Sequence, residues 1–152
     1  MFGYLLEDTK ITEVMPYTAA GTSTINSTVL DMGTGESAFD AVCFIVQTGD
    51  ATSGTVLTAT AKRNTASSTS SPTPVTTGVS ATYTATSSTD TDNKLLIVDV
   101  RRCGVARYIY LELLRATQNC EIASCVAIQY RARKLPATQG STVIASSKGL
   151  EA

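Results

Sequence analysis

Residues 94–134, KLLIVDVRRCGVARYIYLELLRATQNCEIASCVAIQYRARK, hold three apolar runs: Leu95–Val100, Tyr108–Leu114 and Ile122–Tyr130. Each is rich in Val, Ile, Leu and Tyr, and each is too short for an ordinary core helix. A run of that length, bounded by turn chemistry, reads as a buried strand. The separators are Arg101–Gly104 and Ala116–Asn119. Three consecutive strands on short links predict an antiparallel meander around which the rest of the chain is arranged.

Upstream, FDAVCFIVQT (Phe39–Thr48) carries apolar residues in both alternating sets, Phe39, Ala41, Cys43 and Ile45 against Val42, Phe44 and Val46. Such a strand is central, covered from two sides or closed by a subunit contact. TINSTVLDM (Thr24–Met32) reads as a first strand and GTGES (33–37) as a turn. In TVLTATAKRN (Thr55–Asn64), Val56 and Leu57 are expected in the core. ATYTATS (Ala81–Ser87) alternates like a half-exposed strand around Tyr83. With 152 residues the chain suits one core. Aromatic residues at 6% and charged residues at 16%, with Ser, Thr and Ala in abundance, place it in the all-β class.

Three segments follow. Residues 1–20 mix apolar and charged side chains without a period and are broken by Pro16, which fits an N-terminal arm lying on a neighbour or an edge strand covering its own core. Residues 21–136 form the β-sandwich domain, with an exposed Ser/Thr/Pro loop at 65–80. Residues 137–152 are a C-terminal tail, ended off from the domain by Pro136 and Gly140, that is expected to pack on a neighbour.

Charge is split along the chain although the net value is -1. Residues 101–134 hold seven of the twelve basic side chains against two acids, +5, leaving -6 on the rest. This asymmetry suits docking of one face onto another copy or onto an acidic partner, and equally suits strand ends capped in solvent.

Histidine is absent, which removes the commonest general base, the Ser-His-Asp and Cys-His arrangements, and imidazole metal sites. Gly33-Thr34-Gly35 lacks the later glycines and lysine of a phosphate loop, and Ser37 lacks the frame of a nucleophile elbow. Cys43, Cys103, Cys120 and Cys125 show no CxxC spacing. Cys43 and Cys125 are expected as buried apolar residues, and a link between Cys103 and Cys120 is left open. STDTDN (Ser88–Asn93) has calcium-ligand character, but Leu95 stands where an EF-hand needs glycine and Arg101 where it needs glutamate, so a turn is expected. The carboxylate pair Asp90 and Asp92 lacks flanking catalytic groups. The expectation is a protein that is not an enzyme and takes no cofactor and no metal. No leader pattern and no run long enough to span a membrane is visible, so a soluble product of the cytoplasm with no membrane partner is expected.

In Tyr108–Leu114 the set Ile109, Leu111 and Leu113 is expected to face the core, turning Tyr108, Tyr110, Glu112 and Leu114 outward. Two tyrosines interleaved with Arg107 and Arg115 fit a protein interface better than a nucleic-acid site, since the whole chain is not basic. The expected interface residues are Arg101, Arg102, Arg107, Tyr108, Tyr110, Arg131 and Arg133.

Several segments together resemble a family. A strand ending in Asp-Val (Ile97–Val100), a basic link, R-Y-I-x-L (Arg107–Leu111) and V-A-I-Q-Y-x-x-R-K-x-P (Val126–Pro136), with an upstream G-x-x-x-F-D-A-V-x-F (Gly35–Phe44), is similar to the head decoration or cement proteins of tailed bacteriophages. That resemblance implies a single antiparallel β-sandwich of jelly-roll type with an extended arm and tail. It further implies a homotrimer bound to the outside of the major capsid protein lattice, located in the virion and stabilising the head. The loop at 65–80 and the tail from Gln139 depart from the pattern. The alternative is a carbohydrate-binding or host-adhesion sandwich in which Tyr83, Tyr108 and Tyr110 stack on sugars.

Overall fold

A computed structural model describes residues 5–74, 80–102, 106–135 and 137–146. In chain order these form a helical turn α1 (Leu5–Asp8), a 3-10 turn at Gly35–Ser37 and eleven strands. They are β1 (Lys10–Met15), β2 (Thr18–Gly21), β3 (Ile25–Asn26), β4 (Leu30–Asp31), β5 (Phe39–Ala51), β6 (Val56–Asn64), β7 (Thr73–Pro74), β8 (Ser80–Thr84), β9 (Leu95–Arg101), β10 (Tyr108–Ala116) and β11 (Cys120–Ala132). One sheet runs β1-β11-β5-β9, with β2 also on β11. The other places β3 and β4 on one side of β10, then β6, then β7 and β8. All pairings are antiparallel.

Short pieces that follow one another along the same neighbour count as one interrupted strand: β1 with β2, β3 with β4, and β7 with β8. Eight strands then lie in the orders 1-8-3-6 and 2-7-4-5, which is the double Greek key of a jelly roll. The all-β sandwich expected from the sequence is therefore the fold.

The expected meander is not formed. β9 and β11 both pair with β5 in the first sheet, while β10 pairs with β6 in the second. The reason is geometric. Sheets pack about 10 Å apart, and a link of three extended residues spans about 10 Å, so residues 117–119 can arch across the sandwich as readily as they could close a hairpin. Link length alone does not separate the two outcomes.

Alternation then sorts side chains into an inner and an outer row. Val42, Phe44 and Val46 of β5, Val98 and Val100 of β9, and Cys125 and Ala127 of β11 face Leu57, Ala59 and Ala61 of β6 and Ile109, Leu111 and Leu113 of β10. Val56, expected in the core beside Leu57, instead belongs to the outer row, and the small Ala59 and Ala61 take the inner places. Small residues on β6 leave room for the branched side chains opposite, and filling that space is what each fully buried Leu or Phe contributes about 2 kcal/mol to.

The N-terminal segment is, from Lys10 on, the edge strand of its own first sheet. The tail does not leave for a neighbour over its described part but runs along that edge. The Ile11 N–H donates to Gln139 Oε1 at 3.0 Å and the Glu13 N–H to Thr142 Oγ1 at 2.8 Å, while the Gly140 N–H donates to the Ile11 carbonyl at 3.0 Å. Gln139 Nε2 donates back to the carbonyls of Leu6 and Thr9. Gly140 is buried, and a side chain there would collide with Thr12 Oγ1 and the Ile11 carbonyl. Gly140→Val is therefore expected to detach residues 139–142, at a cost of about 1–3 kcal/mol, with the Ile11 and Glu13 amides exchanging faster with solvent while the core amides of β5 and β11 keep their protection.

Candidate functional site

The two outer faces of the sandwich differ in chemistry. On the second sheet the outward row is closed by polar pairs. Lys62 Nζ lies 2.7 Å from Glu112, the Thr58 and Thr82 hydroxyls are 3.1 Å apart, and Arg107 grips both carboxylate oxygens of Asp31 at 2.7 and 2.5 Å. Tyr110 points outward as expected yet is fully buried, because residues 65–71 fold over it. Its hydroxyl donates to the Thr69 carbonyl at 3.2 Å. That loop is in turn fixed by Asn64, whose Nδ2 donates to the carbonyls of Ser68 and Ser70 and whose Oδ1 accepts from the Ala66 N–H. Tyr110 is thus removed from the set of interface residues, since sequence alternation does not show which loop covers an outward ring.

On the first sheet the middle of the outward face is apolar, with Glu13 on one edge strand and Asp99 on the other. The register sets Ile97 beside Ile45 beside Val126, and in the next row Cys43 beside Ile128 beside Ile11. Ile97 is 53% exposed and Leu95 is 58% exposed. A sheet face turned to water is usually polar at these positions, so this is the doubly apolar strand anticipated at Phe39–Thr48, with its outer set left open. At the end of this face a groove of about 560 Å³ is lined by Leu5, Ile128 and Leu135 with Tyr130, Asp99 and Arg131. Tyr130 donates its hydroxyl to Asp99 at 2.7 Å, and burial together with that bond pushes its pKa up to about 12.

The expected basic cluster is not a single patch. Arg102 is half-buried and turned inward, donating to the carbonyls of Gly33 at 2.9 Å and Ala106 at 3.1 Å. Arg107, with Tyr108 half-buried beneath its guanidinium at 5.4 Å, is held by Asp31 on the second sheet. Arg133 pairs with Asp40 at 2.8 Å. Both carboxyls are held below the ordinary range, chiefly by these guanidinium bonds. Arg101 and Arg131 are exposed on the first sheet, and neither forms an ion pair among the described residues. Of the five arginines expected at an interface, these two have neither an ion pair nor a carbonyl bond among the described residues.

Arg115, expected on an aromatic-basic surface with Tyr108 and Tyr110, is instead buried. It is 3% exposed at the end of β10, where Nε donates to the Ser23 carbonyl and Nη1 to those of Ala19 and Cys120, at 2.8–3.0 Å. Nη2 adds the Ser23 hydroxyl at 3.2 Å. One guanidinium fork thereby ties β10 to the chain around β2 and to the start of β11, pinning the two sheets at one end. The signal available in the sequence was a basic residue at an inward position of the alternating run.

Asp90 organises the turn expected at Ser88–Asn93. Its carboxylate accepts from the hydroxyls of Ser87 and Thr86 and from both backbone N–H groups, and these bonds hold its pKa well below the ordinary 3.8. Beside it a cleft of about 340 Å³ opens between β8 and β9, lined by Leu57, Tyr83, Lys94, Leu95 and Leu96. Among the described residues no group of three or more His, Cys, Asp or Glu side chains stands close enough to hold a metal ion. Cys43, Cys120 and Cys125 are free thiols, and burial pushes the Cys120 pKa to about 11 and the Cys125 pKa to about 12. Cys43, expected to be buried, is partly open on the outer face, and Cys103 lies outside the described residues. No helix among the described residues is long and apolar enough to cross a membrane.

No family model matches the chain, and no curated protein matches it. Among solved structures, the Eiger TNF from S. frugiperda aligns over 94% of this chain and 99% of that one, with 7% identity and a TM-score of 0.33.

Two outcomes follow from the bonds described. Arg115→Ala removes charge-assisted bonds to the buried Cys120 carbonyl and to the part-buried Ala19 and Ser23 carbonyls, and is expected to cost about 1–3 kcal/mol in urea unfolding. Arg115→Lys is expected to recover less than half, because one ammonium cannot fork to carbonyls on separate segments. Asp90 has a depressed folded pKa, so its stabilisation is present above 3.8 and is lost as pH falls through the folded value. Asp90→Asn is expected to be less stable than the parent at pH 7, with the gap narrowing steadily below pH 4 in acid-titrated unfolding.

Proposed function

We propose that the chain is a structural virion protein that docks on the outside of a tailed-phage head lattice and stabilises the shell, in three-copy assemblies. The observation that carries this reading is the outward apolar group Ile45, Ile97, Val126 and Ile128 on the first sheet, with the exposed Arg131, in no ion pair among the described residues, at its margin. An exposed patch of this kind is a place where a partner gains by covering it, at about 25 cal/mol per Å² of apolar surface removed from water. The same strands, β5, β9 and β11, contain much of the sequence resembling decoration proteins: Gly35–Phe44, Ile97–Val100 and Val126–Pro136. A sandwich that binds across a joint between shell subunits stabilises the shell by mass action, since opening the joint then also costs the contact.

A host-adhesion reading retains Tyr83, 41% exposed at the mouth of the 340 Å³ cleft, but loses Tyr110 to burial. Co-sedimentation with head shells lacking the protein separates the two. The parent is expected to pellet with shells and raise their melting temperature, while the double variant Val126→Glu and Ile128→Glu stays folded and remains in the supernatant. Equal pelleting of both, or no pelleting of the parent together with saturable glycan binding abolished by Tyr83→Ala, would overturn the shell reading.

A further inference from the structure

The first sheet ends in two edges that the chain treats differently. Along β1 the tail supplies partners for the free backbone groups. Along β9 no other strand pairs: among the described residues β5 is the one strand hydrogen-bonded to it. The Thr48 N–H donates to the Lys94 carbonyl and the Arg102 N–H to the Asp40 carbonyl, both at even positions on the β9 side. With the register of β9 on β5, alternation assigns the even residues of β9 to β5 and turns the N–H and C=O of Ile97, Asp99 and Arg101 toward the bare edge.

A strand edge without a hydrogen-bonded partner is a template for another strand. What kind of strand it accepts is set by its charges. Asp99 and Arg101 stand two residues apart on the same outward row, both exposed, and neither forms an ion pair among the described residues. In an antiparallel pairing centred on Val100, residue 99 of one strand faces residue 101 of the other, at both ends of the pair. Asp opposite Arg twice over is a pattern that is its own complement. Opposite charges directly across a ladder are favourable and like charges are not, so this pair of residues selects both the register and the partner.

We infer that the β9 edge is a homotypic contact: a second copy of this chain adds its own β9 across a two-fold axis at Val100, joining two first sheets into one. Asp99 of each copy meets Arg101 of the other, and the outward backbone groups of these residues complete the ladder. The contact is isologous, as two-fold contacts are. The shell-binding reading rests on Ile45, Ile97, Val126 and Ile128 and the edge contact on Asp99 and Arg101, so different substitutions test the two. The edge contact can link larger assemblies as well as single chains.

Charge exchange tests it. Asp99→Arg presents only positive charge at the edge, and Arg101→Asp only negative. Each variant is expected to weaken self-association more than tenfold, so that light scattering at matched concentration gives half the parent mass. An equimolar mixture of the two variants sets Arg opposite Asp at both positions and is expected to restore the parent mass. The double variant, Asp99→Arg with Arg101→Asp, is expected to do the same alone. Circular dichroism confirms that each variant is folded, and amide exchange adds a residue-level reading: the Asp99 and Arg101 amides are protected in the parent and open in the single variants, while those of Val98 and Val100 do not change. Equal masses for parent and single variants overturn the contact, and halved masses that neither mixing nor the double exchange restores overturn the two-fold register. Shell pelleting by folded single variants leaves the shell reading standing while the edge contact is judged on mass alone.

Discussion

The pairing of β5 with β11 is the constraint on which the rest of the structure depends. Both strands are thirteen residues long, and each lies between two others, so the first sheet has a rigid middle before its edges are considered. Their register fixes which alternate set faces inward. Once Phe44 lies beside Ala127 and Val46 beside Cys125 in the core, Ile45 and Val126 must share the opposite face. A slip of one residue would exchange the two sets. The inner set, however, meets the small Ala59 and Ala61 of β6 across the sandwich, and the bulkier outer set of Ile45, Val126, Ile128 and Tyr130 would not fit there at native density. Core volume therefore selects the register, and the register delivers the apolar outer face.

The arginines show how far local charge can mislead. Seven basic side chains between 101 and 134 form a charged run in the sequence, but the fold spends most of them on its own construction. Arg102 and Arg115 donate to backbone carbonyls, and Arg107 and Arg133 close onto Asp31 and Asp40. These uses are not of equal weight. The Asp31 and Asp40 pairs are more than two-fifths exposed on both sides and are worth about 0–1 kcal/mol each. Arg115 is itself buried and bonds the buried Cys120 carbonyl as well as the part-buried ones of Ala19 and Ser23, so its removal costs more.

Fold class was legible because strand chemistry is local. Val, Ile, Thr and Tyr at period two identify β5, β6, β8, β9, β10 and β11 with little need of context. Strand partnership was not legible, because the 117–119 link suits a hairpin and an arch equally well. The covering of Tyr110 was hidden for a related reason. It depends on where Asn64 anchors a loop of serines and threonines, and nothing in their order distinguishes a loop folded over a sheet from one standing free. The tail was similarly obscure: Gly140 reads as a terminator in sequence, whereas its place in the structure is a close approach to Ile11 and Thr12. By contrast, the double apolar alternation of Phe39–Thr48 did announce a central strand with apolar side chains on both faces, and Arg101 and Arg131 remain basic side chains not consumed by ion pairs among the described residues.

Both edges of the first sheet can be understood from the same cost. A bare strand presents unpaired N–H and C=O groups, which water satisfies adequately in isolation but which also invite any extended chain. At β1 the solution is intramolecular, and it uses a residue without a side chain so that the covering segment can come close. At β9 no segment of the described chain covers the edge, and the outward row carries opposite charges rather than the like charges that would repel every copy. Lysine at both positions would blunt the edge against self-pairing. An acid and a base two residues apart instead blunt it against most registers while leaving one in which every charge is answered. An edge built this way is selective rather than closed, and its selectivity is for its own sequence.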